Sequence, residues 1–205
     1  MKIAYLGATG KVGTHALREL SARGHAITAI TTHPDAVEAL TGVTVRAGDA
    51  NDPAGLAPLL AGHDVIVSSI QFAKIDYAKL IAAVRASSVA RYFVVGGSGT
   101  LLAPGTTTRI MDGPNFPPAL LGNARAAAGF FDRLRAEKDL DWTYFSPPPM
   151  LGGGGRTGVF RIGGDELLVG PDGKATISYE DYAIALADEL ENPRYRGGKR
   201  FTAGY

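Results

Sequence analysis

"LGATGKVG", residues 6–13, directly follows the apolar run Ile3-Ala4-Tyr5, and its reading decides the rest of the chain. Gly7, Gly10 and Gly13 fall where a main chain leaving a strand must turn sharply into a helix and approach a ligand with no Cβ in the way. The first turn of that helix then offers unpaired N–H groups and a partial positive charge to a phosphate. Strand, glycines and amphipathic helix come in the order that a pyrophosphate site requires, which favours dinucleotide binding over a tight turn alone. Thr9, Lys11 and Val12 complete the loop. Lys11 can add positive charge near the phosphates, although a first-turn lysine is more often simply solvated.

Outward from this loop, short β-branched runs alternate with amphipathic stretches. Strands are predicted over 2–6, 26–31, 44–47, 64–68, 91–95 and 141–145, and helices over 12–23, 53–60, 77–87 and 118–137. Several strands are too uniformly apolar for a sheet with one wet face, so the pattern predicts parallel strands buried on both sides. The fold class is therefore α/β, a Rossmann-like doubly wound parallel sheet with helices on both faces. One domain spans 1–205, with substrate-side loops at about 97–117 and 146–178 and a small C-terminal extension over the site.

Composition narrows the partners. Lys and Arg number 21 against 20 Asp and Glu, so no broad basic surface is available for nucleic acid or anionic lipid. No apolar run approaches the roughly 20 residues that span a bilayer, and no signal peptide is expected, which together predict a cytoplasmic protein. With no cysteine there is no disulfide or thiolate chemistry, and the four histidines are too scattered for a metal site. The expected partner is a small-molecule electron acceptor, and the expected state a monomer or homodimer.

Two further stretches belong to the cofactor. At the end of the second predicted strand, Thr31-Thr32-His33 carries no carboxylate to favour a ribose 2′-hydroxyl or repel a 2′-phosphate, and Thr32 and His33 can donate to that phosphate. NADP is thus favoured, with NAD as the alternative. Ser68-Ser69-Ile70, after the fourth strand, is expected beside the nicotinamide ribose. All these positions follow C-terminal strand ends, the edge at which open α/β sheets bind ligands.

The spacing G-x-x-G-x-x-G resembles the short-chain dehydrogenase/reductase superfamily, and "GATGKVG" is most similar to its atypical, NmrA-like and flavin-reductase-like branch. "LDWTYFSP" (140–147), "RTGVFRIGGDELLV" (156–169), "ISYEDYAIALADELENP" (177–193) and "RFTAGY" (200–205) extend the resemblance to bacterial NADH-flavin reductases over essentially the whole chain. The resemblance implies that Asp49 lies beside the adenine, with Ala50 adding backbone contacts. A helix cap by Asp49 or Asp52 is the competing reading. It also implies a pocket hydroxyl near the nicotinamide at Ser98, which could equally be a backbone-satisfied loop serine. Pro147 and Pro148 are expected to wall the nicotinamide. Where related biliverdin-reductase-B-like proteins often carry a histidine after a Pro-Pro pair, this chain has Pro149 and Met150.

The superfamily's Tyr-x-x-x-Lys, which protonates a developing alkoxide, is missing from 118–135. Hydride transfer to a flavin needs no such fixed acid, because the protein has mainly to position two flat rings. FMN or FAD is then a substrate rather than a bound prosthetic group. Phe72, Met111, Phe116 and Tyr144 are candidates for a flat apolar wall, with core packing the competing role for Tyr144, and Arg156 for a contact to an anionic tail. The 156–167 region is expected to form a small hairpin over the pocket, and Ser178 to cap a helix over 179–191, with Glu180 and Asp181 as first-turn dipole partners. The alternatives are an NmrA-like dinucleotide sensor without turnover and an epimerase- or isomerase-type enzyme, which would need an acid–base pair.

Overall fold

Ile3, Ala4, Tyr5 and Leu6 lose nearly all solvent contact because the strand they form, β1 (Lys2–Leu6), has a parallel neighbour on each side and helices on both faces. The structure, a computed structural model, describes residues 1–205. Along the chain follow β2 (Ala26–Thr31), β3 (Val43–Ala47), β4 (Val65–Ser68), β5 (Arg91–Val95) and β6 (Asp141–Ser146). Four more strands lie beyond: β7 (Met150–Leu151), β8 (Arg161–Gly163), β9 (Thr176–Ile177) and β10 (Lys199–Gly204). The helices are α1 (Lys11–Ala22), α2 (Pro53–Leu60), α3 (Tyr77–Ala86), α4 (Pro118–Ala136) and α5 (Tyr179–Glu191). None is long and apolar enough to cross a membrane.

The main sheet runs β3-β2-β1-β4-β5-β6-β10-β8, parallel except for β8, which pairs antiparallel with β10. This is the expected doubly wound Rossmann-like order. The winding reverses between β1 and β4, and the crevice beyond their carboxyl ends is where this architecture receives ligands.

Two details differ from expectation. Residues 156–167 do not fold into a hairpin of their own: β8 adds to the sheet edge through β10, and Asp165 O accepts the Leu102 amide at 2.9 Å. "RFTAGY", which falls outside every predicted element, lies in the interior strand β10, seated between β6 and β8 with Phe201 and Ala203 buried.

Helix ends follow local chemistry. α1 stops in a Schellman turn, with His25 N donating to Leu20 O at 3.1 Å, Gly24 N to Ser21 O at 2.9 Å, and Gly24 at φ 78°. Asp52, Asp76 and Ser178 cap α2, α3 and α5 through their side chains. α1 has no such cap.

The core is divided by the sheet into two clusters of nearly equal size, 22 residues beneath α2, α3 and α4 and 21 beneath α1 and α5, so β1, β4 and β5 are apolar on both faces. On the α5 side, Phe145 lies between Tyr182 and Phe201, with ring centroids 4.0 and 4.1 Å away.

Candidate dinucleotide and acceptor sites

The turn from β1 into α1 is built around one carbonyl. Gly7 O accepts from Gly10 N at 3.2 Å and from Ser69 Oγ at 3.1 Å, while Gly7 itself holds φ 88°. A Cβ on Gly13 would lie 2.1 Å from this oxygen, and one on Gly7 2.7 Å from Ser69 O, so both glycines are demanded by the protein's own packing. Gly10 differs. Its Cβ would meet only Gly7 O, at an ordinary 3.6 Å, so nothing inside the chain excludes a side chain there. The space is open on the side that faces out of the turn. The amides of Lys11, Val12 and Gly13 head α1, whose first intrahelical bond is Thr14 N to Gly10 O, and no side chain caps them and no first-turn acid neutralises them. An uncapped helix start beside an unfilled glycine is a cradle that fits a pyrophosphate.

A cleft of about 550 Å³ opens from this cradle at the winding reversal. It brings together Gly7, Thr9 and Gly10 from the turn, Thr32 and His33 beyond β2, Asp49 and Ala50 beyond β3, and Ser69 and Ile70 beyond β4. Thr32 Oγ1 lies 2.9 Å from His33 Nδ1, and the His33 amide is fixed by Thr31 Oγ1 at 3.1 Å, so the strand end presents two exposed polar side chains and no carboxylate. The cap question resolves by division of labour. Asp52 receives Gly55 N, whereas Asp49 stays on the cleft wall, its Oδ1 accepting Asn51 N at 2.8 Å.

Sequence reasoning missed Asn51, Gln71 and Lys74, which also line the cleft. Asn51 links two loops: its Nδ2 donates to Lys74 O at 3.2 Å and its Oδ1 accepts Asp76 N at 2.8 Å. Only their position just past β3 and β4 signals them, since pairing between those loops leaves no local pattern. Ser68 is a correction. Strand alternation turns it away from the cleft, and its hydroxyl is buried 2.9 Å from Tyr92 Oη in the core.

Farther along the same sheet edge, beyond β5 and β6, lies a second cavity of about 470 Å³. Ser98, Phe116 and Pro149 line it together with Ile110, Leu120 and Leu167, and its only charged side chain is Arg109. The turn carrying Ser98 is closed by a different hydroxyl, Thr100 Oγ1 on Gly97 O at 3.2 Å.

The other expected wall residues lie elsewhere. Phe72 is buried against Phe130, with centroids 5.2 Å apart. Tyr144 is fully buried: its hydroxyl accepts Gly97 N at 3.2 Å and donates to Ala127 O at 3.4 Å, while burial pushes its pKa up. It cannot serve as an exposed wall. It is instead the support under the 96–98 turn, so close that a Cβ on Gly96 would lie 2.2 Å from its ring. Met111 packs against Gly99 rather than on the cavity wall. Pro147 and Pro148 are on neither lining, and Pro149 takes the wall position. Arg156 is committed to an ion pair with the buried Glu19 of α1 and is not among the residues that line the acceptor cavity.

Residues 7–193 match a family model described as NAD(P)H-binding. The chain is 35% identical to the Bacillus subtilis protein YwnB over 98% of its own length and 97% of that protein's. A Bacteroides thetaiotaomicron structure named "putative epimerase" superposes with TM-score 0.91 at 34% identity, covering 100% of this chain and 96% of the other. A Streptococcus pneumoniae structure named "putative NADH-flavin reductase" superposes with TM-score 0.86 at 30% identity, covering 100% and 99%. With the glycine cradle at the winding reversal and the match running through both cavities, this chain belongs to the NAD(P)H-binding family.

Proposed function

We propose that the protein is an NADPH-dependent reductase that passes a hydride to a flavin or similar flat acceptor held transiently in the cavity beyond β5 and β6. The observation that carries this reading is the lining of that cavity: apolar residues with Ser98, Thr108 and Asn115, and no Asp, Glu, His, Lys or Tyr among them. Such a site can position a ring and exclude water, but it holds no acid to protonate an alkoxide and no acid–base pair to invert a carbon centre. The name borne by the Bacteroides relative would require such a pair.

The reduced nicotinamide supplies two electrons and one proton as hydride, and the acceptor's further proton exchanges with water. The chain's residues do the rest. The amides of 11–13 hold the pyrophosphate, Asp49 and Ala50 border the adenine, and Thr32 and His33 meet the 2′-phosphate with no carboxylate opposing it. Ser69 and Ile70 run beside the nicotinamide ribose, and Tyr144 fixes the 96–98 turn that carries Ser98, which with Phe116 lines the acceptor cavity.

The test is NADPH oxidation followed at 340 nm with FMN, FAD, riboflavin and quinones, repeated with NADH. Turnover with flat acceptors, faster with NADPH, is expected. Tight nucleotide binding without turnover on any acceptor would replace this reading with that of a sensor.

A further inference from the structure

The acceptor cavity does not end at Arg109. The same side chain also lines a neighbouring groove of about 500 Å³ between α4 and the β10 end of the sheet. Besides Arg109, this groove is walled by Arg135, Lys199 and Arg200, against a single carboxylate, Asp165. Asp165 is taken by Arg200, whose Nε donates to it at 2.7 Å while Nη1 reaches Thr100 O at 2.7 Å, which leaves Arg200 a structural cation. Arg135 and Lys199 face the groove with no acidic partner, and Arg109 has one partly exposed contact, to Asp132 at 3.3 Å. An apolar slot whose one charged side chain is Arg109 thus opens, past that arginine, onto a cationic channel.

We infer that the acceptor is a planar molecule bearing a phosphate or carboxylate tail, and that Arg109 selects it by holding that tail where the slot meets the groove. This rests on the reductase reading and adds the specificity of the same site. The ring lies against Phe116 and Pro149, the tail passes Arg109, and Arg135 and Lys199 supply the surrounding positive field. A guanidinium suits this place because it keeps several donors of its planar fork free after meeting Asp132.

FMN and riboflavin differ only in the terminal phosphate, so together they isolate the tail. Binding of each is measured by flavin fluorescence quenching, and turnover by NADPH oxidation, for the wild type, Arg109→Gln, Arg109→Lys and Lys199→Gln. The wild type is expected to prefer FMN about tenfold in both readouts at low salt, a preference that Arg109→Gln abolishes, Arg109→Lys partly restores and Lys199→Gln weakens. Equal affinity for the two flavins in the wild type, or an Arg109→Gln loss that is the same for both, overturns the inference while leaving the reductase reading standing. FMN-selective binding that depends on Arg109, with no turnover of any acceptor, supports the tail site and overturns the reductase reading. No binding of either flavin overturns the tail site, and with no turnover of quinones it overturns the reductase reading as well.

Discussion

Gly10 and Gly13 carry the same side chain, or lack of one, for different reasons, and the difference is measurable. Alanine at 13 collides with Gly7 O at 2.1 Å and is expected to cost about 1–3 kcal/mol of stability through forced backbone shifts, with loss of nucleotide binding as a consequence. Alanine at 10 meets nothing nearer than 3.6 Å and should cost at most about 1 kcal/mol, the price of a poorer helix start. Its affinity for NADPH should nonetheless fall at least tenfold, because the new methyl group occupies the phosphate's approach. Urea denaturation and titration of nicotinamide fluorescence separate the two outcomes. The glycine cradle was legible in the sequence because its geometry is local. Ser68 was not, because whether a strand's last residue faces the cleft or the core depends on the alternation of its neighbours. Arg109 fell inside the expected substrate-side loop at 97–117 but nothing local singled it out, since only the tertiary fold places one arginine on two cavities.

At the scale of elements, the loop between β7 and β8 is held by groups distant in sequence. Asp181, buried at the start of α5, accepts the Thr157 and Gly158 amides at 2.9 Å each, and also the hydroxyls of Thr157 and Tyr205, at 2.5 and 2.7 Å. Burial alone would raise this carboxyl, but these hydrogen bonds outweigh it and hold the pKa below the ordinary aspartate value. A depressed carboxyl contributes stability that is in place above the unfolded pKa, about 3.9, and is lost as pH falls through the lower folded value. The 152–158 loop should therefore loosen only in strong acid. In Asp181→Asn it should be loose at neutral pH, because the amide nitrogen then faces donors, at a cost of about 1–3 kcal/mol. Limited proteolysis within 152–158 and amide exchange at Thr157 and Gly158 check both expectations; unchanged protection in the variant would refute them. The sequence marked Asp181 as a first-turn acid but could not show its partners 24 residues away, nor that Arg156 would be spent on Glu19, 137 residues away.

For the whole molecule, the alternation of apolar runs and amphipathic stretches made the doubly wound sheet legible as far as β6. Beyond it, β7, β8 and β9 are two or three residues long, too short for any period to declare itself, and β8 finds its partner only through β10. Because the dinucleotide cleft draws on the ends of β1 to β4, its ligand should stabilise the entire fold. At a hundredfold excess over its dissociation constant, NADPH is expected to add about 2.7 kcal/mol, raising the melting temperature by about 5–10 °C in a chain of this size. A scanning calorimetry trace unmoved by saturating NADPH and NADH alike would contradict the assignment of the cleft. The Gly7 carbonyl, bonded to Gly10 from its own loop and to Ser69 from across the seam, joins the two halves of the winding at the point where that ligand lands. A receptor stitched shut in this way has little disorder left to surrender on docking, so capture should be fast and alike for every pyridine dinucleotide. What separates one nucleotide from another would then be how long each stays.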